Sequence, residues 1–98
     1  MTIQKTTENK TVTLTVSGRL DTASAPELEK ELETCLEGTE QLIFDLKDLL
    51  YTSSAGLRVL LKAQKIMDKQ GTMKLIHVND DVMEVFDITG FLDILTVE

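Results

Sequence analysis

Between Thr11 and Leu20 every second residue is apolar: Val12, Leu14 and Val16 alternate with Thr11, Thr13, Thr15 and Ser17. A two-residue period suits a strand with one face buried and does not suit a helix. Immediately downstream the period changes. Leu28, Leu32, Cys35 and Leu36 share one face of a helix with about 3.6 residues per turn. This switch from strand period to helix period recurs along the chain, and it constrains the fold more than any other feature.

Each recurrence carries its own punctuation. Ile3 to Thr7 reads as a weaker strand, joined to the alternating one through a Glu8-Asn9-Lys10 turn. Ser24-Ala25-Pro26-Glu27 has the spacing of a capping box, with Pro in the first turn, and Gly38 is placed to end that helix. Gln41 to Leu46 is a short apolar strand. A helix is expected from Ser54 to Gln70, ended by Gly71, followed by a strand from Met73 to Val78. Asn79 caps a helix through Asp87 with Val82 and Phe86 facing inward, and Leu92 to Val97 reads as a final extended piece.

The order is therefore β-β-α-β-α-β-α with a short last strand. Strands separated by helices pair in parallel, and the opening hairpin makes the sheet mixed. The fold class is α/β, a small mixed sheet with helices packed on one side. In such sheets functional loops gather beyond the carboxyl ends of the strands. Here that edge collects Arg19 to Ser24, Leu49 to Ala55, and Val78 to Asp81.

No repeat or Pro/Gly/Ser linker divides the 98 residues, so residues 1–98 read as one domain. The net charge of -7 argues against nucleic acid and anionic membrane as partners, since both repel an acidic surface. There is no apolar run of spanning length and no signal-type start, so the expectation is a soluble, cytoplasmic protein. The single Cys35 falls among apolar helix positions and reads as a buried hydrophobe. Metal-ligand spacings, phosphate-binding loops and dinucleotide motifs are missing, so neither metal nor cofactor is expected.

The chemistry concentrates in Leu49-Leu50-Tyr51-Thr52-Ser53-Ser54-Ala55-Gly56-Leu57, where three hydroxyls in a row open a helix. Ser54 at or near the N-cap is open to two readings. It is a plain cap, or it is a modification site whose phosphate would meet unpaired N–H groups and the positive helix end. A phosphate there would add about -1.5 to -2 charge without opposing the helix, which suits a switch acting on a partner rather than on the fold.

Leu46 to Val59 resembles the strand–loop–helix of the sulphate transporter and anti-sigma factor antagonist (STAS) family, whose second helix opens with a D/S-S-S/A-G-L run. Gly18-Arg19-Leu20-Asp21 resembles the family's G-x-L-D turn, and Val82 to Phe91 resembles its closing helix and T-G-L-type turn. The pieces occur in order along the whole chain. The resemblance implies an anti-sigma factor antagonist that is not an enzyme. An anti-sigma factor serine kinase would phosphorylate Ser54 and a metal-dependent serine phosphatase would reverse it, with only the unphosphorylated form binding. It also implies a binding surface of Asp21, Ser53, Ser54, Ala55 and Gly56, plus the exposed side of the following helix. This chain has Ser53 where many members have Asp, so Thr52 and Ser53 compete with Ser54 as acceptor. A constitutive binding module of the same family is the alternative.

On the helix after Ser54, Leu57, Leu60, Leu61, Ala63, Ile66 and Met67 form an apolar face beside a stripe of Arg58, Lys62, Lys65 and Lys69. Arg58 and Lys62, nearest Ser54, are expected to meet the partner; a solvated face is the other account. His77 shares the sheet edge with Ser54, but Thr52 stands where a G-x-S-x-G elbow needs its first Gly. Asp45 ends a strand as in receiver domains, without the acidic pair that would hold their Mg²⁺.

Overall fold

The computed structural model describes residues 1–98. Its spine is the long alternating strand. β1 (Thr2–Glu8) and β2 (Thr11–Leu20) form an antiparallel hairpin turned by Asn9 and Lys10, both with positive φ. A two-residue turn needs that left-handed conformation to match strand twist. β3 (Gln41–Asp45) runs parallel to the first half of β2, and β5 (Thr72–Ile76) runs parallel to β3. The main sheet order is β1-β2-β3-β5.

Burial follows the pleat. Val12, Leu14, Val16, Leu42, Phe44, Met73 and Leu75 are buried on one face, while Thr13, Thr15, Ile43 and Lys74 on the other are only partly covered. The helices therefore lie on one side. They are α1 (Ala25–Cys35), α2 (Ser54–Met67) and α3 (Asp80–Thr89). Their inward residues, including Leu28, Leu32, Leu60, Met67 and Phe86, complete one core. No helix is long and apolar enough to cross a membrane.

The segment from Leu49, read from sequence as loop, begins with a strand. β4 (Leu49–Thr52) pairs in parallel with the second half of β2, through Gly18, Arg19 and Leu20. β2 is long enough to serve β3 and β4 in turn along the same edge. The turn between them is closed by Leu49 N–H to the Leu46 carbonyl and Gly18 N–H to the Asp48 carbonyl, both 3.0 Å. Short strands with one apolar alternation step carry too little pattern to be seen locally.

Four further boundaries differ from expectation. The capping box at Ser24 does not form: Ser24 turns its hydroxyl back to the Arg19 carbonyl at 2.7 Å and caps nothing in α1. α2 ends at Met67, not Gln70. Gly71 lies where an added Cβ would stand 1.8 Å from the Glu40 carbonyl oxygen, so it serves strand approach rather than a left-handed cap. α3 runs on to Thr89 and ends on Gly90 at φ 79. The final extended piece shrinks to a 3-10 turn at Phe91–Asp93 and a single bridge from Val97 to Leu75, because the Phe91 carbonyl accepts the Ile94 and Leu95 N–H groups.

Candidate functional site

β4 delivers the three hydroxyls to the start of α2, and the fold separates them sharply. Thr52 is buried, inside the strand, and its hydroxyl donates to the Ser53 carbonyl at 3.3 Å. Ser53, not Ser54, is the N-cap residue, with extended backbone at φ -98 and ψ 177. Its N–H donates to the Leu20 carbonyl at 2.9 Å and its carbonyl accepts from Leu57 N–H at 3.0 Å. The Ser53 hydroxyl oxygen is enclosed and has no hydrogen-bond partner. Ser54 is the first helical residue, exposed, with no side-chain hydrogen bond. No acidic residue occupies the first turn of α2. Negative charge at Ser54 would thus meet the positive end of the helix without competition.

Ala55 is half-buried and Gly56 is buried. A Cβ on Gly56 would stand 2.5 Å from Thr52 Oγ1 and 2.7 Å from Leu20 Cγ, so this glycine lets α2 start tight against β2 and β4. Of the expected contact residues it is the one that cannot offer a side-chain surface.

The bond from Ser53 to Leu20 sets the Asp21 loop directly beside the hydroxyls. Asp21 Oδ1 accepts the N–H groups of Ala23 and Ser24, each at 3.1 Å, while Asp21 N–H donates to Ser24 Oγ at 2.9 Å. The Ser24 hydrogen bonds, then the Ala23 amide and the Arg19 charge, hold the Asp21 carboxyl below its ordinary value. Asp21 therefore shapes this loop first, and its second oxygen faces Arg19 Nε at 3.9 Å. The Arg19 guanidinium lies over the Tyr51 ring, 4.4 Å from its centroid.

The cationic stripe is not uniform. Lys62 Nζ donates to Glu29 Oε1 on α1 at 2.6 Å, and that hydrogen bond and charge raise its pKa. Arg58, Lys65 and Lys69 are exposed and in no ion pair. Leu61 and Ile66 are only half-buried along the same stripe, while Val59 is buried, so the inward face of α2 is rotated slightly from the sequence reading.

His77 Nδ1 sits 3.0 Å from Asp45 Oδ1, and no hydrogen bond joins His77 to Ser54. Burial alone would raise the Asp45 carboxyl, but hydrogen bonds from His77 and the Lys47 amide outweigh it and hold the group low. These two residues brace the ends of β3 and β5.

A family model described as the STAS domain matches residues 2–98. The chain belongs to the STAS domain family. This STAS domain is 42% identical over 84 residues to BtrV of Bordetella bronchiseptica, covering 84% of this chain and 72% of that protein. It is 35% identical over 87 residues to the anti-sigma-B factor antagonist of Bacillus subtilis, covering 88% and 80%. Its fold matches the anti-sigma factor antagonist SpoIIAA in its unphosphorylated form with a TM-score of 0.85 at 18% identity, over 99% of this chain and 88% of that one. The phosphorylated form of the Bacillus protein SpoIIAA matches with a TM-score of 0.77 at 18% identity, over 99% and 91%. The exposed middle of β4 is what sequence reasoning missed at this site. The pair Leu50-Tyr51, apolar and outside the alternation, was its one visible signal.

Proposed function

We propose that this STAS domain is an anti-sigma factor antagonist switched by phosphorylation of Ser54. Unphosphorylated, it binds an anti-sigma factor that is also a serine kinase, and so frees the sigma factor. Phosphorylated, it does not bind, and a metal-dependent serine phosphatase resets it. The observation that carries this reading is the contrast between three adjacent hydroxyls, of which only Ser54 is exposed and unpartnered. A kinase needs an accessible acceptor, which Thr52 and Ser53 do not offer. The names of the relatives support the partner class, and a fold neighbour that exists in two phosphorylation states supports the switch.

The physics of the switch is local. A phosphate at the first position of α2 is compatible with the helix, so the fold persists. The added charge of about -1.5 to -2 falls on a surface the partner must desolvate. Asp21, Ser54, Ala55 and Arg58 form the accessible contact set beside it. Ser53 positions this set through its backbone bonds to Leu20 and Leu57, and Lys62 joins where a partner displaces Glu29. The function is binding rather than catalysis. A sigma-factor circuit acts beside RNA polymerase, so we assign the domain to the bacterial cytoplasm.

The test is intact-mass spectrometry of the protein from its own host, beside Ser54→Ala, together with calorimetric binding of the purified anti-sigma factor. Expected are a phosphate on the native chain that Ser54→Ala lacks, and a loss of affinity in Ser54→Asp of about 30-fold or more, equivalent to about 2 kcal/mol. A phosphate that persists in Ser54→Ala would move the site. A Ser54→Asp variant that binds like the native protein, with no phosphate under any growth condition, would leave a constitutive module.

A further inference from the structure

The pairing of β4 with β2 slips by one residue: Gly18 faces Leu49, but Arg19 faces Tyr51. Leu50 is the extra residue of a bulge, and bulges re-aim side chains. As a result Leu50 and Tyr51 both point outward, 69% and 40% exposed, instead of alternating. Beside them α3 presents Asp81, Glu84, Val85 and Ile88 along one face, spaced i, i+3, i+4 and i+7. Ile88 is 76% exposed. A groove between β4 and α3 is lined by Leu50, Tyr51, Val85, Asp81 and Glu84. α3 contains no cation, and none of its carboxylates is in an ion pair.

Charge is thus segregated about Ser54. Three unpaired cations line α2, and unpaired carboxylates with exposed apolar groups line the β4–α3 groove, where the one cation at the rim, Arg19 over the Tyr51 ring, already faces Asp21 Oδ2 at 3.9 Å. We infer that the β4–α3 face is a second docking surface for the anti-sigma factor, taking a segment of that partner that carries apolar and basic side chains together. The inference rests on the antagonist reading. Charge selects the occupant: a symmetric pairing of this face with its own copy would set carboxylates against carboxylates, and an anionic lipid surface would be repelled in the same way. Continuity supports it too, because Tyr51 is only two residues from Ser53 in the same strand-to-helix passage. Opposite charge on the two flanks would fix the orientation in which the partner meets Ser54.

The experiment measures affinity and association rate of the unphosphorylated full chain for the purified anti-sigma factor of the same organism. The variants are Leu50→Ser, Glu84→Lys and Glu37→Lys. All three positions are exposed, so folding should persist, and circular dichroism checks it. Glu37 is exposed and unpaired on the segment after α1, and its variant makes the same change in net charge as Glu84→Lys. Expected are a roughly tenfold loss of affinity for Leu50→Ser, a similar loss with slower association at low salt for Glu84→Lys, and no change for Glu37→Lys. Native binding retained by both Leu50→Ser and Glu84→Lys would overturn the inference while leaving the antagonist reading intact. Equal losses in Glu84→Lys and Glu37→Lys would also overturn it, as an effect of net charge. Leu50-dependent self-association in sedimentation would replace the anti-sigma factor with a second copy. Failure of the unaltered protein to bind would refute the antagonist reading itself.

Discussion

Gly56→Ala sets two effects of known size against each other. Gly56 lies in the first turns of α2, where helix propensity alone favours Ala over Gly by about 1 kcal/mol. The added methyl, however, would sit 2.5 Å from Thr52 Oγ1, 2.7 Å from Leu20 Cγ and 3.0 Å from Leu20 Cδ2. Both neighbours are buried and belong to different strands, so neither can rotate into solvent. Overpacking of this kind costs about 1–3 kcal/mol, and two simultaneous clashes argue for the upper part of that range. The net expectation is a destabilisation of about 1–2 kcal/mol, or roughly 4–16 °C in Tm for a domain of this size. Urea unfolding followed by circular dichroism measures it as a lower midpoint at unchanged slope. In a Thr52→Ala background the closest clash disappears, so the penalty of Gly56→Ala should shrink, and a double-mutant cycle reads the coupling. An unchanged or raised midpoint for Gly56→Ala would refute the reasoning, because propensity would then have won and the junction of β2, β4 and α2 would be looser than described.

Asn79→Ala should cost about 2 kcal/mol, roughly 8–16 °C. It removes the α3 cap, where Asn79 Oδ1 accepts from Val82 N–H at 2.9 Å, and it strips the buried Leu49 carbonyl of its 2.6 Å donor. Thermal unfolding checks this, and a shift confined to the error of the measurement would show the bridge between α3 and β4 to be dispensable. Asp21 and Asp45 both have carboxyls held below their ordinary value of 3.8. A carboxyl that is more acidic folded than unfolded contributes stability in full above the unfolded value and loses it as pH falls through the folded one. Stability should therefore drop on acidification below about pH 4, and Asp21→Asn and Asp45→Asn should flatten that acid limb in denaturation midpoints taken across pH. Cys35 is buried and desolvation raises its thiol pKa, so a thiol reagent at neutral pH should label it only after urea unfolds the chain. Rapid labelling of the native protein would contradict the packing of α1.

Periodicity alone determined most of this architecture. The alternation at Val12, Leu14 and Val16 identified the spine strand and its buried face. The spacing of Leu28, Leu32 and Cys35 identified the inward face of α1, and Asn79 marked the start of α3 as a capping residue should, although the helix runs two residues past the expected Asp87. Such signals are legible because each element must bury one face, and its period survives in the chain. The hydroxyl run marked the candidate site for a similar local reason, since helix starts demand particular residue types, while the G-x-L-D turn was marked by its resemblance to the family. Tertiary structure decided the rest. That Leu49–Thr52 is a strand depends on the spare half of β2, a partner roughly thirty residues away in sequence. Ser24 prefers the Arg19 carbonyl to its own helix, and Gly71 is required by the Glu40 carbonyl; both facts concern segments brought together only by folding. The separation of three adjacent hydroxyls into one buried, one enclosed and one exposed is of this kind as well. Their neighbours in sequence are nearly identical, and only the packing of α2 onto β2 and β4 gives each a different surface to face.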